Sequence, residues 1–293
     1  MSHHNGTSGA SGNDVSDGNG VRPRQWIHLT EKKDFSRLLY PNPVCFLSTT
    51  TSRSSSPPPS HPAKGESGLT LNTAAAVKRR NVMVLSWLTA TNNSGRFMFS
   101  INRNRHSAST VVPIDESSGK ARVGVNFVLS CPVQGMEQLV IDVGGTSGKW
   151  GSKFMEDHNQ NDADLLERSE LDLDSMSNSQ RKKHKQMQLA KGIPNLCAVP
   201  LGNLEESAQE GNGSFAINGT CAHMHCRTYA VVDEPATGII DEDHHLVMAE
   251  IIDAYVDELY WDATKKQFRP TTEDAPPYLT FFGAQTFGYV RNR

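Results

Sequence analysis

Residues 81–110 read NVMVLSWLTATNNSGRFMFSINRNRHSAST, and the second half of this stretch decides the fold. Phe97, Phe99 and Ile101 alternate with Met98 and Ser100, the period of two that turns one face of a strand toward a core. The strand ends where Arg103, Arg105 and His106 arrive among Asn102, Asn104, Ser107, Ser109 and Thr110. Residues 107–112 predict one or two helical turns. A strand end followed by a helix start exposes backbone N–H groups that suit an anion. Arginine adds a two-pronged fork, and the hydroxyls add further donors. The plain alternative is an exposed turn carrying ordinary surface bases.

Working outward, VCFLSTT at 44–50 is β-rich and reads as a strand, and regular structure resumes at 81–93. Between them, residues 51–80 contain SRSSSPPPSHPAKGESG and cannot pack, so they read as an overlong hairpin loop. Residues 34–40 predict a short helix closed by Pro41 and Pro43. RVGVNFVLS at 122–130 is a further strand, stopped by Cys131-Pro132, and 136–143 fits a short helix. Residues 156–191 turn acidic and then basic, which marks a second insertion. NLCAVPLG at 195–202 resumes the core pattern. FAINGTCAHMHCRTYAVVDE and LVMAEIIDAYVDE read as two more strands. Many short strands with few helices favour a barrel or sandwich and exclude a βαβ alternation.

Composition narrows the function. The 293 residues carry 29 Lys+Arg against 32 Asp+Glu, a net charge of -3. That balance gives no reason to expect a nucleic-acid or anionic-membrane partner, so the bases at 103–106 are a local feature. Five cysteines at irregular spacing argue for free thiols in a reducing, cytoplasmic setting. Residues 1–24 are Gly-, Ser- and Asn-rich and predict a disordered leader ahead of a single domain over 25–293.

Three motifs fail on inspection. GGTSGKW at 144–150 lacks the first glycine and the final hydroxyl of a P-loop, although Lys149 or Lys153 can still reach an anion from it. CAHMHC at 221–226 puts Cys221, His223 and His225 on one strand face, but at roughly 6.5 to 7 Å steps, too wide for neighbouring ligands to meet on one zinc ion unaided. Ser86 lies in no nucleophile elbow. Asp243-His244-His245 enters a strand from a turn, which sets a histidine at the rim of a cleft or merely in a polar turn.

The block at 81–110 resembles the signature region of the flavin reductase-like, FMN-binding split-barrel family, in its flavoredoxin-type branch. Asn81-Val82-Met83, Ser86-Trp87-Leu88-Thr89 and the strand ending in Arg105-His106-Ser107 carry the resemblance. YPNPV at 40–44, GVNFVLS, TSGKWGSKF, CRTYAV and DHHLVMAEI extend it over roughly residues 36–255. It implies a six-stranded antiparallel Greek-key split barrel with a few short helices, insertions at 51–80 and 156–191, and a homodimer. It implies FMN as cofactor, with Arg105, His106, Ser107 and Ser109 at the phosphate and Asn102 and Lys153 as extra donors. Asn81, Val82, Met83, Ser86, Trp87 and Ser100 would line the ring and ribityl chain. His244 would meet the ring or a nicotinamide. The implied activity is hydride transfer from NAD(P)H to FMN, with an acceptor protein or free flavin taking the electrons. The alternative is a non-enzymatic electron carrier or flavin store. The insertions and the late segments at 218–219 and 242–243 depart from the family pattern, and they bear on donor and acceptor more than on fold.

Overall fold

The computed structural model describes residues 25–31, 35, 44–53, 77–148, 152–157, 177, 179, 192–201, 214–232, 242–283 and 285–292. The expected leader, most of the helix at 34–40, the centre of the first insertion, nearly all of the second and Lys149 lie outside them. In chain order come β1 (Trp26–Leu29), β2 (Cys45–Arg53), β3 (Val77–Leu85), β4 (Leu88–Ala90) and β5 (Arg96–Asn102). Helix α1 (His106–Val111), β6 (Asn126–Cys131), helix α2 (Glu137–Gly145), β7 (Ala198–Val199) and β8 (Ala216–Ile217) follow. Then come β9 (Ala222–Val232), β10 (His244–Asp257) and two small hairpins, β11 (Trp261–Asp262) with β12 (Gln267–Phe268) and β13 (Tyr278–Gly283) with β14 (Thr286–Val290).

The main sheet is antiparallel and runs β3-β2-β6-β9-β10-β5-β4, with β1 added on β10. Six long strands carry it, as expected, and the short β1 and β4 bring it to eight. Its ends dictate its shape. The outermost strands β3 and β4 are separated in the chain only by Ser86 and Trp87, a link of about 11 Å at full stretch. In a flat sheet those strands would stand about 29 Å apart, six spacings of ~4.8 Å. The sheet therefore curls until its edges meet at Ser86-Trp87. Register shifts between β10 and β9 at Met248/Ala249 and Ile251/Asp253 supply irregularities where β10 can bend. Its first half pairs with β5 and its last residues with β1.

Alternation sorts the side chains. Phe97, Phe99 and Ile101 on β5, Phe127 and Leu129 on β6, and Met224 and Cys226 on β9 fill the barrel interior. The rings of Phe97, Phe99 and Phe127 lie 5.6 to 6.3 Å apart. Ala108, Val111 and Val112 of α1 and its C-terminal edge pack on this same core, as do Tyr260, Phe268 and Tyr278 of the C-terminal region. A second core covers the outer face of β2 and β3: Phe46 and Val82 meet Leu139, Val140 and Val143 of α2, with Phe154 and Leu279.

Two expectations change. The first hairpin is longer than the sequence suggests, because β2 runs on to Arg53 and β3 begins at Val77, in register from Cys45↔Leu85 to Arg53↔Val77. Cys221 does not share the outer face of His223 and His225. It precedes β9 and lies buried in the barrel core, its thiol against the Cys131 carbonyl at 3.4 Å. His223 packs on Trp26 with ring centroids 4.4 Å apart. All five cysteines are free thiols.

Candidate functional site

The site grows from the end of β5. Beyond Asn102 the chain turns through Arg103, Asn104 and Arg105 into α1, and the Asn102 side chain holds that turn by accepting from Asn104 N at 2.9 Å. Arg103 ties the turn to β10: its backbone N–H donates to the Asp243 carbonyl at 2.8 Å and its Nε to the His244 carbonyl at 3.1 Å. Asn102 and His244 are cross-strand partners, so the turn and the start of β10 form one rim.

Across the barrel mouth, Asn81 on β3 donates from Nδ2 to Ser107 Oγ on α1 at 2.8 Å. Gly148 presses on the same pair of elements. A Cβ there would stand 2.3 Å from Asn81 Oδ1 and 2.7 Å from His106 Cδ2, so only glycine fits without displacement. Arg79 Nη2 donates to the Gly148 carbonyl at 2.8 Å, and Arg105 Nη1 lies 3.5 Å from the Gly144 carbonyl. Beneath them Lys153 is buried, its Nζ donating to the carbonyls of Val82 at 2.6 Å and Val143 at 3.0 Å.

Like charges thus crowd one corner. Burial lowers the pKa of His106, and the charges of Arg79 and Lys153 lower it further. Burial, then the Arg105 charge, pulls Lys153 down to about 7. No carboxylate is among the groups that shift either residue. Positive charge therefore gathers around His106 and Lys153.

A flat apolar surface adjoins it. Trp87, 64% exposed, stands at the barrel seam with its ring 5.4 Å from that of His244. Ser100 N donates to the Trp87 carbonyl at 2.9 Å. Ser100, Asn102 and His244 therefore line the sheet face beside the tryptophan.

No protein-family model matches the sequence, and no curated protein does. Among solved structures, the chain overlays on the FMN-binding domain of a flavin reductases-like enzyme from Shewanella baltica OS155. The match covers 92% of this chain and 96% of that one, with a TM-score of 0.51 and 15% identity. The fold is that of a flavin reductase-like split barrel. The flavoredoxin of Desulfovibrio vulgaris (Miyazaki F) covers 95% of both chains at 12% identity with a TM-score of 0.43. An FMN-binding protein from Thermus thermophilus with bound 1-cyclohex-2-enone covers 97% of this chain and 96% of its own, at 12% identity and a TM-score of 0.42. Chain path is what the Shewanella likeness establishes. The site rests on this split barrel's own residues.

Those residues sort into three sets. Arg105, His106, Asn81 and Lys153 meet at the cationic corner, and Ser86, Trp87, Ser100, Asn102 and His244 lie at the seam and rim. Met83 is half-buried against the barrel core. Three residues do not point where the sequence reading put them. Val82 faces the second core and is fully buried, because neighbours on a strand face opposite ways, so its side chain lines no ring. The Ser107 hydroxyl is turned inward to Asn81. The Ser109 hydroxyl donates to the His106 carbonyl at 2.8 Å. Lys153 reaches the corner as a buried charge committed to two carbonyls. Arg79 and Gly148 were missed. Arg79 sits inside the stretch read as loop, and the run Lys78-Arg79-Arg80 looks like solvated charge. Its spacing of two from Asn81 was the available signal.

Proposed function

We propose that the protein binds FMN at this corner and reduces it with NAD(P)H. The observation that carries this reading is the convergence of Arg79, Arg105, Lys153 and His106 at one corner, next to an exposed aromatic ring. The donor set fits a phosphate monoester: guanidinium groups bind phosphate oxygens in pairs. The buried Asn81 Oδ1 and Thr49 Oγ1, on facing positions of β3 and β2, have no hydrogen-bond partner among the described residues. Such atoms suit the hydroxyls of a ribityl chain.

The isoalloxazine of FMN supplies the redox chemistry, accepting a hydride from a reduced nicotinamide. The chain's own residues bind and orient. Arg105 and His106 hold the phosphate, and Asn81 keeps α1 seated on β3. Trp87 offers a stacking face, and His244 steadies that ring and borders the open side. No residue need donate or take a proton at the reacting atoms. A homodimer in which a second copy covers the exposed Trp87 face completes the reading, with a cytoplasmic setting in keeping with five free thiols. Among the described residues no helix is long and apolar enough to cross a membrane.

The test is an absorbance spectrum of the purified protein titrated with FMN, followed by anaerobic NADPH and then NADH. Flavin bands that appear and then bleach support the reductase and name its donor. Bound flavin that stays oxidised with both nucleotides replaces the reductase with the electron carrier or flavin store. Absence of flavin uptake overturns the reading.

A further inference from the structure

We propose that Arg80 is a positioning residue for the cofactor corner: from the outer face of β3 it pins the turn at 152–157, and through that turn it holds the Lys153 side chain behind the site. The proposal rests on the FMN reading above and concerns a side chain that no flavin would touch. Arg80 and Asn81 follow one another on β3 and therefore face opposite ways. Asn81 turns inward to Ser107 Oγ. Arg80 turns outward, where its Nε donates to Asp157 Oδ1 at 3.0 Å and Oδ2 at 3.2 Å, and its Nη2 to Glu156 Oε2 at 3.1 Å. Its guanidinium also lies 4.7 Å over the Phe154 ring. A lone exposed ion pair contributes little, but a guanidinium held by two carboxylates and resting on an aromatic ring is fixed in place.

The turn that Arg80 grips is short and internally tied. Ser152 Oγ donates to the Asp157 carboxylate and accepts from Phe154 N at 3.2 Å, and Asp157 N donates to the Phe154 carbonyl at 3.1 Å. Phe154 is fully buried and meets the Phe215 ring edge-on, with centroids 5.2 Å apart. Lys153 sits between these anchors. Its Nζ runs inward to the carbonyls of Val82, on the same strand as Arg80, and Val143 of α2, and its own carbonyl accepts from Ile193 N at 2.8 Å. Gly192 comes so close that a Cβ there would stand 2.4 Å from Met155 Cγ. Asp157 precedes and Gly192 follows residues 158–191, so the chain enters and leaves most of the second insertion at the segment that carries Lys153. Besides burial, the charge of Arg105 acts on Lys153, and Lys153 acts in turn on His106. A cation buried behind those two residues strengthens the field that a phosphate would meet. Its effect depends on where the lysine head sits, and Arg80 fixes the turn that sets this. Riboflavin, without a phosphate, has no charge for that field to hold.

The experiment measures the dissociation constants of FMN and riboflavin by flavin fluorescence, in phosphate-free buffer below neutral pH. It compares the wild type, Arg80→Met, Arg80→Lys, Lys153→Met and the double variant of Arg80→Met with Lys153→Met, with a urea midpoint for each. Coupling within one network predicts that Arg80→Met weakens FMN by roughly tenfold and leaves riboflavin unchanged. Arg80→Lys, which keeps the charge and loses the fork, falls between. Because Arg80 acts through Lys153, the double variant binds FMN no more weakly than Lys153→Met alone. A direct field on the phosphate from Glu156 and Asp157, stripped of their partner, would instead add its loss in the double variant, and that additivity overturns the proposal. Wild-type FMN affinity in Lys153→Met overturns it too, as does equal weakening of both flavins by Arg80→Met. An Arg80→Met protein with a lower urea midpoint and unchanged flavin constants makes the ion pair a stabilising contact only; the proposal fails and the FMN reading stands. If Arg80→Met does not fold, Arg80→Lys decides: an FMN-to-riboflavin ratio equal to that of the wild type overturns the proposal. A wild type that binds neither flavin removes this proposal and the FMN reading together.

Discussion

At Gly148 the main chain passes so near Asn81 and His106 that a single added carbon lands inside both. Gly148→Ala therefore has to displace the Asn81 amide and the His106 ring or shift the 144–148 loop. Overpacking of this kind costs about 1–3 kcal/mol. The expected result is a lower urea midpoint together with weaker flavin binding. Lys153 makes a prediction of a different sort. Its folded pKa of about 7 lies below the ordinary 10.5. Between those values the unfolded chain holds a proton that the folded protein has released. Stability from this residue therefore rises with pH across that window and is flat below it. Lys153→Met should flatten the flavin-free stability curve between about pH 7 and pH 9, read by urea unfolding. The variant also leaves the Val82 and Val143 carbonyls without their donor, a cost of about 1–3 kcal/mol that does not depend on pH. A bound phosphate favours the charged lysine, so FMN affinity of the wild type falls as pH rises above that folded value.

At the scale of elements, the seam between β3 and β4 sets Trp87 apart from the packed aromatics. Phe97, Phe99 and Phe127 are buried, whereas Trp87 is 64% exposed. Trp87→Ala should change stability by no more than about 0.5 kcal/mol. An aromatic contact beyond mere burial is worth about 0.5–1.5 kcal/mol, so FMN and riboflavin should both weaken by roughly 2- to 12-fold, and equally. That equality is what distinguishes a ring contact from a phosphate contact. The β5-turn-α1 unit was legible in the sequence because each part has a local cause. Alternation makes the strand, the Asn102 side chain closes the turn, and the apolar positions of α1 seat it on the core. The start of β3 was not legible. Val77-Lys78-Arg79-Arg80 follows a run with no strand pattern, and only pairing with β2 from Thr50 to Arg53 makes it a strand.

At the scale of the whole molecule, the C-terminal hairpins are part of the barrel's closure. Tyr278 and Leu279 are 1% and 0% exposed and fall into different cores. Leu279 N donates to the Pro132 carbonyl at 2.9 Å, and Gln134 N to the Pro277 carbonyl at 2.7 Å. A chain ending at Pro270 loses these bonds and uncovers both cores, each large side chain worth about 1.5–3 kcal/mol of burial. It should lose cooperative unfolding, read by amide proton dispersion and a urea titration. The resemblance recognised in the sequence stopped near residue 255 and had no account of this region, because its strands are short and its turns rich in polar residues. By itself the sequence determined most strands of the main sheet, the helix after β5 and the cluster of bases, since period-two alternation and turn chemistry act over a few residues. Only the tertiary structure decided which bases face one another. Arg79, Gly148 and Lys153 come from segments 69 and 5 residues apart, and their meeting depends on the curl that brings β3, α1 and the loop after α2 to one end of the barrel. The Ser107 hydroxyl turned inward for a related reason: its partner Asn81 stands on a strand that only the curl brings against α1, which no local pattern records.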